Sequence, residues 1–299
     1  MREIKGHGVA MITPFKADGS IDFDAIPIIV NHLINGGIDF LVVLGTTAET
    51  ATLTKLEKIA LVDKIIEVNS DRLPLVLGLG GNNTQELLGM FDWFNLSSFT
   101  ALLSVSPYYN KPNQEGLYQH FKTIANNSSI PLILYNVPSR TGVNIAPETV
   151  LRLAKDFDNI IALKEASGDF QQAQTLMKLC PPNFSILSGD DEMSLPMILA
   201  GAKGVISVIG NAIPEQYSRI IKEGLSRNVD EAYLIQYQLL DLIRMIYFEG
   251  NPTGIKVLME TLDLCENNLR LPLVPASKEL TLQLKEELKK GMPIQNPQS

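Results

Sequence analysis

Short apolar segments alternate with longer amphipathic ones along most of this chain, and this alternation limits the fold more than any other feature. A new apolar segment begins about every 20 to 35 residues, which is the length of one strand–helix unit. Strands that alternate with helices form a parallel sheet covered by those helices. Eight segments are predicted to be strands: residues 8–15, 40–47, 73–81, 100–107, 131–138, 160–167, 184–191 and 204–211.

Eight strand–helix units predict an α/β fold, a (β/α)8 TIM barrel. A doubly wound open sheet is the structural alternative, but such sheets usually have fewer strands and a glycine motif at the switch point. The helices between the strands have recognisable beginnings, and Thr54 with Glu57 forms a capping-box pattern. Asp22, Thr84 and Asn113 are expected to cap further helices, and Pro147 is expected in the first turn of another.

The alternation of strand and helix patterns stops after the eighth unit. Residues from about 229 to 290 contain three helical patterns and no strand pattern between them. The predicted organisation is therefore a barrel over residues 1–225 and a C-terminal helical extension over residues 226–299.

Composition and charge exclude several classes of protein. The chain has a net charge of −8 without a basic cluster, which argues against nucleic acid and anionic membranes as partners. No apolar stretch approaches the length of a membrane span, and the first residues lack the pattern of a secretory signal. Cys180 and Cys265 lie far apart in the sequence, as is typical of a reducing compartment. We expect a cytoplasmic enzyme.

No metal or nucleotide motif appears in the sequence. His7, His32 and His120 are scattered without metal-ligand spacing, so no metal or other cofactor is expected. The glycines of residues 77–83 lack the GxGxxG pattern and are interpreted as turn residues. Asp190 and Asp191 resemble a carboxylate pair, but a turn or a helix cap explains them equally well.

Lys164 interrupts the apolar strand that begins at Ile160. Since side chains alternate along a strand, Ala162 and Ala166 share the face of Lys164 and leave space beside it. An amine held in apolar surroundings is more readily uncharged and therefore nucleophilic, and it can form an imine with a ketone. This is class I aldolase chemistry. The alternative is a lysine that reaches the surface or forms an ion pair there.

Other polar residues are expected at the same end of the barrel, where active sites of this fold lie. Tyr135 lies on the adjacent strand and can relay protons if its hydroxyl bonds another hydroxyl such as that of Thr46. The hydroxyls and backbone amides of Thr46 and Thr47 can hold the carboxylate of an α-keto acid. Arg140 follows the Tyr135 strand.

The chain resembles the dihydrodipicolinate synthase family, within the larger group that includes N-acetylneuraminate lyase. The similarity runs from about residue 6 to residue 275. It is carried by motifs in the family's order and spacing: GTTAETATL (45–53), SPYYNKPNQEGLYQHF (106–121), YNVPSRTG (135–142), LKEASGD (163–169), LSGDDEM (187–193), GVISVIGN (204–211) and NLRLP (268–272).

The resemblance implies a reaction and roles for single residues. Lys164 would form an imine with pyruvate, Tyr135 would be the acid–base residue, and Thr46 would link it to Tyr109 of a neighbouring subunit. Arg140 would bind the carboxylate of the second substrate, aspartate semialdehyde. The remaining implied residues hold pyruvate or line the site through the backbone: Thr47, Gly189 and Ile206. A homotetramer built from tight dimers, with Tyr109 contributed across the tight interface, is implied as well.

Two features of the sequence depart from the family pattern. The family usually has glycine where Ala48 stands, and alanine would be strained there by about 1–2 kcal/mol if the position requires a positive φ. In family members inhibited by lysine, an interface pocket binds it with histidines at the positions of Lys55 and Lys58, and two cations there would repel an incoming lysine. We therefore expect weak or absent inhibition by lysine. The other positions of this possible pocket are Thr50, Ala51, Asn82, Glu86 and Tyr108.

Two other functions remain open at this point. The first is the same imine chemistry on another 2-keto acid, such as a keto-sugar acid or N-acetylneuraminate. The second is a regulatory or binding protein on a barrel that has lost catalysis. The presence of Lys164, Tyr135, Tyr109, Thr46 and Arg140 disfavours the second.

Overall fold

Eight parallel strands form a closed barrel in the computed structural model, which describes residues 4–291. Each strand pairs with its neighbours in chain order, and β1 pairs with β8. The predicted TIM barrel is confirmed, and the open-sheet alternative is wrong. The strands are β1 Gly6–Ala10, β2 Phe40–Val43, β3 Leu75–Gly78, β4 Ala101–Val105, β5 Leu132–Asn136, β6 Ile160–Glu165, β7 Ser185–Ser188 and β8 Gly204–Ser207.

The strands end earlier than the apolar segments predicted. At the end of β2, Leu44 adopts a left-handed conformation with φ 56°, which turns the chain out of the sheet. Thr46–Ala48 then forms a short 3-10 turn. The residues that follow the strands are therefore free to face the mouth of the barrel.

Helices cover the outside of the barrel, and several begin where the sequence predicted. Thr54 and Glu57 form the expected capping box, Asn113 caps the next long helix, and Pro147 occupies the first turn of another. The helices are α1 Ala25–Asn35, α2 Lys55–Asn69, α3 Thr84–Gly89, α4 Gln114–Asn127, α5 Pro138–Thr141, α6 Pro147–Asp156, α7 Phe170–Leu179, α8 Ser194–Ala200, α9 Pro214–Leu225, α10 Val229–Met245, α11 Thr253–Thr261 and α12 Lys278–Gly291.

Two predicted N-cap residues were wrong by one or two positions. The N-cap residue of α1 is Asp24, and Asp22 instead accepts a hydrogen bond from the Asp24 amide at 3.2 Å. The cap of α3 is Asn83, whose side chain accepts from the amides of Gln85 and Glu86. Both misassigned residues can cap a helix, so composition alone did not separate them from their neighbours.

Apolar side chains form two separate cores. The larger lies between the sheet and the helices, and the smaller fills the barrel interior. Ala162 belongs to the interior core and Ala166 packs against it, as the alternation of β6 predicted. Ile161 also packs against the interior, contrary to the alternation, because the pairing of β5 with β6 shifts by one residue there.

The C-terminal extension consists of α10, α11 and α12, as expected. Helix α9 ends at Leu225 and α10 begins at Val229. The division into two units at residues 225 and 226 stays a prediction. Across residues 4–291, the helices are all too short or too polar to cross a bilayer.

Candidate active site

A cavity of about 560 Å³ opens at the C-terminal ends of the barrel strands. Residues from the ends of five strands and from the extension form its walls, as expected for this fold. It is lined by Thr46, Thr47, Tyr135, Val137, Ser139, Arg140, Lys164, Ala166, Gly189, Asp190, Glu192, Val208, Ile243, Arg244, Tyr247, Phe248 and Asn251.

Lys164 is 5% exposed and reaches this cavity from the penultimate position of β6. Its Nζ lies 4.4 Å from the centroid of the Tyr135 ring. The neighbouring Glu165 faces the other way, where its carboxylate accepts from the Ser167 amide at 2.7 Å and from the side chains of Asn136 and Gln172. Within residues 4–291, no carboxylate forms an ion pair with Lys164, so the surface ion-pair interpretation of this lysine is not supported.

Gly189 lies directly against Lys164. A Cβ atom at this position would stand 2.9 Å from Lys164 Cε and 2.7 Å from the Cβ of Ala166. These separations are shorter than van der Waals contact, so a side chain at residue 189 would displace the lysine.

The two threonines occupy the turn that follows β2. Thr47 is 2% exposed, and its hydroxyl accepts a hydrogen bond of 3.0 Å from Nδ2 of Asn251. Thr46 is partly exposed. Both side chains line the cavity on the wall formed by β2.

Arg140 lies in α5 at the exposed rim of the cavity. Its Nη2 donates to the backbone oxygen of Asn251 at 3.4 Å. The Arg140 side chain lines the cavity, and a guanidinium can bind a carboxylate in a bidentate manner.

Two of the predicted site residues lie outside the cavity of the single chain. Ile206 is fully buried in the barrel interior. Tyr109 is 90% exposed in the loop after β4 and has φ 69°. Among residues 4–291, no hydrogen bond joins the Tyr135 hydroxyl to Thr46 or to Tyr109. A relay that includes Tyr109 therefore requires a second subunit or a rearrangement.

Ala48 does not have the backbone strain that a positive φ would cause. Ala48 closes the Thr46–Ala48 turn without a positive φ, and the left-handed residue is Glu49, with φ 53°. Ala48 is buried, its carbonyl accepts from the Thr13 hydroxyl at 2.7 Å, and it does not line the cavity. An alanine therefore fits this position.

The two adjacent aspartates have different structural tasks. Asp190 Oδ1 accepts from the Met193 amide at 3.0 Å near the start of α8. Asp191 is 2% exposed and accepts from the amides of Val208 and Ile209 and from the Tyr247 hydroxyl. Burial raises the pKa of Asp191 from 3.8 to about 6. These contacts agree with the turn and cap interpretation, and they attach the end of β7 to both β8 and the extension.

The extension contributes five cavity residues that the sequence did not predict: Ile243, Arg244, Tyr247, Phe248 and Asn251. Arg244 forms a two-point ion pair with Glu192, with distances of 2.6 and 3.0 Å. No local pattern in the sequence links these residues to the strand ends, because the contacts span 52 to 204 positions.

The residues of the possible effector pocket lie mostly on the surface. Asn82 Nδ2 donates to the Tyr108 carbonyl at 3.1 Å, and Lys55 Nζ lies 4.9 Å from the centroid of the Trp93 ring. Lys58 is partly buried, and this burial lowers its pKa. Ala51 and Glu86 are exposed. Thr50 donates to the carbonyls of Leu44 and Gly45 and so supports the turn after β2.

His7 and His120 are buried and contact hydroxyl groups of neighbouring side chains. His7 lies between the hydroxyls of Ser218 and Ser207, each at 2.8 Å, and burial lowers its pKa to about 3. Burial also lowers the pKa of His120, to about 4, and its Nδ1 contacts the Thr84 hydroxyl at 2.9 Å. Across the described 288 residues, from 4 to 291, no three His, Cys, Asp or Glu side chains are grouped closely enough to hold a metal ion.

Comparison with known proteins agrees with this arrangement. A family model described as the dihydrodipicolinate synthetase family matches residues 3–291. A 4-hydroxy-tetrahydrodipicolinate synthase of Flavobacterium psychrophilum is 54% identical over 284 residues, covering 95% of this chain and 97% of the relative. The synthase of Azobacteroides pseudotrichonymphae is 48% identical and covers 96% of this chain and 98% of its own.

Solved structures show the same similarity. The dihydrodipicolinate synthase of Aquifex aeolicus superposes with a TM-score of 0.93 at 39% identity, over 96% of this chain and 98% of the other. The synthase of Cyanidioschyzon merolae, solved with lysine bound, gives a TM-score of 0.92 at 33% identity, over 96% and 98% of the two chains. Because the family model and these relatives cover nearly the whole sequence, the chain belongs to the dihydrodipicolinate synthetase family.

Proposed function

We propose that this chain condenses pyruvate with L-aspartate 4-semialdehyde to form 4-hydroxy-tetrahydrodipicolinate, the first committed step of lysine and diaminopimelate biosynthesis. It is a lyase of the class I aldolase type, and relatives at 54% and 48% identity are named for this activity. Their names favour this reaction over cleavage of a keto-sugar acid or N-acetylneuraminate and over a binding protein without catalysis. The observation that carries the proposal is the buried Lys164 in a cavity with Arg140 at its rim.

The reaction begins with an imine. The Lys164 amine adds to the C2 ketone of pyruvate, water leaves, and a proton lost from C3 gives an enamine. The enamine carbon then forms a bond to the aldehyde carbon of the semialdehyde. Finally, the amino group of the semialdehyde attacks C2, closes the ring and displaces the Lys164 amine.

Each remaining predicted residue has a proposed task in these steps. Tyr135 transfers the protons, and Thr46 links it to Tyr109 of the partner subunit. Thr47 holds the pyruvate carboxylate, and Arg140 holds the carboxylate of the semialdehyde. Gly189 and Ile206 line the pyruvate site through their backbone, and Gly189 also leaves room for the lysine stem.

We further propose a homotetramer made of two tight dimers. The 90% exposure of Tyr109 supports this assembly, since its ring needs a second subunit to be covered and to approach a catalytic site. The molecular mass in solution, measured by analytical ultracentrifugation at the assay concentration, tests it. The cytoplasm is the proposed location, in keeping with two unpaired cysteines.

Pyruvate consumption by the purified protein tests the proposed reaction. We expect consumption only when aspartate semialdehyde is also present. Borohydride reduction with pyruvate should add a three-carbon group to Lys164, detectable by peptide mass spectrometry, and Lys164→Ala should abolish the adduct. The proposal is wrong if pyruvate leaves no adduct on Lys164 of the folded wild-type protein.

A further inference from the structure

A buried ion pair outside the catalytic cavity joins the barrel to the C-terminal extension. Lys256 Nζ of α11 lies 2.6 Å from Glu49 Oε1, and both side chains are 0% exposed. Glu49 directly follows the Thr46–Ala48 turn. The pair therefore connects the extension to the segment that carries the two site threonines.

Both charged groups have a further hydrogen-bond partner besides each other. Glu49 Oε2 accepts from the Arg270 amide at 3.0 Å. Lys256 Nζ donates to the Asn268 carbonyl at 2.7 Å and lies 4.4 Å from the centroid of the Phe15 ring. A buried ion pair often stabilises a protein no more than apolar residues of the same shape would. Stability alone therefore gives a weak reason for placing two charges here.

The segment held by Glu49 has an unfavourable backbone conformation at both ends. Leu44 and Glu49 are left-handed residues with φ 56° and 53°, and Thr46 and Thr47 lie between them. Residues with a Cβ atom adopt this conformation when surrounding contacts impose it. At the first end the contact is the Thr50 hydroxyl, which donates to the Leu44 carbonyl at 2.9 Å. At the second end it is the ion pair of Glu49 with Lys256.

The same part of the extension also contacts the turn between these ends. Asn251 lies just before α11 and donates to the Thr47 hydroxyl at 3.0 Å. Asn251 and Lys256 thus hold the turn at two points from one short stretch of chain. Movement of α11 would shift both threonines relative to Lys164.

We propose that Glu49 and Lys256 are positioning residues of the pyruvate site, which fix the turn that presents Thr46 and Thr47 to the pyruvate carboxylate. The inference rests on the proposed function of the cavity. It assigns to the extension a task in pyruvate binding. The semialdehyde site depends less on this pair, because Arg140 lies on α5 and meets this stretch only through a long hydrogen bond of 3.4 Å to the Asn251 carbonyl.

The double variant Glu49→Gln/Lys256→Met tests the proposal, because it removes both charges and leaves neither buried alone. We expect a folded protein whose KM for pyruvate rises about 10- to 100-fold, as is usual for a displaced binding group. The KM for aspartate semialdehyde should rise much less than the KM for pyruvate. Borohydride trapping on Lys164 should require correspondingly more pyruvate, and thermal unfolding monitors folding of the variant.

Glu231→Gln is the matched control. Glu231 of α10 pairs with Arg219 of α9, so this substitution also breaks an ion pair between barrel and extension. It touches neither the turn nor the cavity, and its KM for pyruvate should equal that of the wild type.

A folded double variant with the wild-type KM for pyruvate would overturn the proposal, as would equal increases in the KM of both substrates. If the double variant does not fold, Glu49→Asp replaces it, since the charge is kept and the shorter side chain pulls on the turn. The expected result is again a raised pyruvate KM, and an unchanged one contradicts the proposal. The trapping assay needs pyruvate alone, so failure with aspartate semialdehyde would refute the reaction without affecting this test.

Discussion

Tyr135 and Lys164 are register partners on neighbouring strands β5 and β6, and the lysine Nζ lies 4.4 Å from the centroid of the tyrosine ring. Paired residues of parallel strands point to the same face of a sheet. The barrel interior therefore brings the proposed nucleophile and the proposed acid–base residue together without a loop. The strand register itself sets their separation.

Tyr135→Phe should separate proton transfer from imine formation. The variant keeps the ring beside Lys164 and loses the hydroxyl, so kcat should fall about 10²- to 10⁴-fold, the usual contribution of a proton-transfer group. Borohydride trapping should still reach completion at long times. Tyr118→Phe is the control, because the Tyr118 hydroxyl bonds Asp156 away from the cavity. An unchanged kcat would remove Tyr135 from the mechanism.

Gly189→Ala should impair imine formation through a steric effect. The added methyl group would stand 2.9 Å from Lys164 Cε and 3.1 Å from its Cγ. We expect the rate of borohydride trapping to fall about 100-fold, as for a reacting group displaced by about 1 Å. Gly81→Ala is the control, since a Cβ there has no atom within 4 Å. Equal trapping rates for the two variants would show that the lysine avoids the methyl group.

Arg140→Lys should raise the KM for aspartate semialdehyde and leave the KM for pyruvate unchanged. Lysine keeps the charge but loses the planar pair of donors that holds a carboxylate. Loss of one charge-assisted hydrogen bond corresponds to a KM about 10- to 100-fold higher. Arg152→Lys, on the exposed ion pair with Glu115, is the control. A rise in the pyruvate KM instead would place Arg140 in the pyruvate site.

Much of this fold and site could be predicted because the decisive signals are local. The period of two places Ala162, Lys164 and Ala166 on one face of β6, and the structure agrees. Ile161 departs from the period at a shift in strand pairing, which depends on the neighbouring strand. The predicted C-terminal end of β2 lies too far along the chain, because the left-handed Leu44 is apolar and resembles a strand residue.

The contribution of the extension to the cavity could not be predicted, because it arises from tertiary packing. Asn251 meets Thr47 across 204 positions, and Tyr247 meets Asp191 across 56. Neither pair has a period or motif that links its members. The relation between Glu49 and Lys256, across 207 positions, is of the same kind.

Asp191 should give the protein a distinctive dependence of stability on pH. Its pKa is raised from 3.8 to about 6 by burial, while the neighbouring Asp190 also raises it and the hydrogen bonds from Ile209, Tyr247 and Val208 lower it. Between these two values the folded protein binds the proton that the unfolded chain has lost. The contribution of Asp191 to stability therefore falls as the pH rises from about 4 to about 6, by about 3 kcal/mol.

Asp191→Asn should remove this dependence. Urea unfolding of both proteins across this range gives the difference in free energy of unfolding, wild type minus variant. We expect this difference to decrease with rising pH, and a constant difference would mean that Asp191 titrates at its usual pKa. Asp156→Asn is a suitable control, because its carboxylate is half-exposed and lies away from the cavity.

Lysine should inhibit this enzyme weakly or not at all. An effector pocket at Lys55 and Lys58 would present two ammonium groups to the ammonium groups of a lysine ligand, and like charges repel. The test is initial velocity against L-lysine concentration at saturating substrates. Lys55→His/Lys58→His should introduce or strengthen inhibition, because neutral imidazoles accept hydrogen bonds from an ammonium group. Strong inhibition of the wild type at low lysine concentration would show that these two cations do not exclude the ligand. If inhibition is equally weak in the wild type and the variant, other residues of the pocket are the cause of the weak binding of lysine.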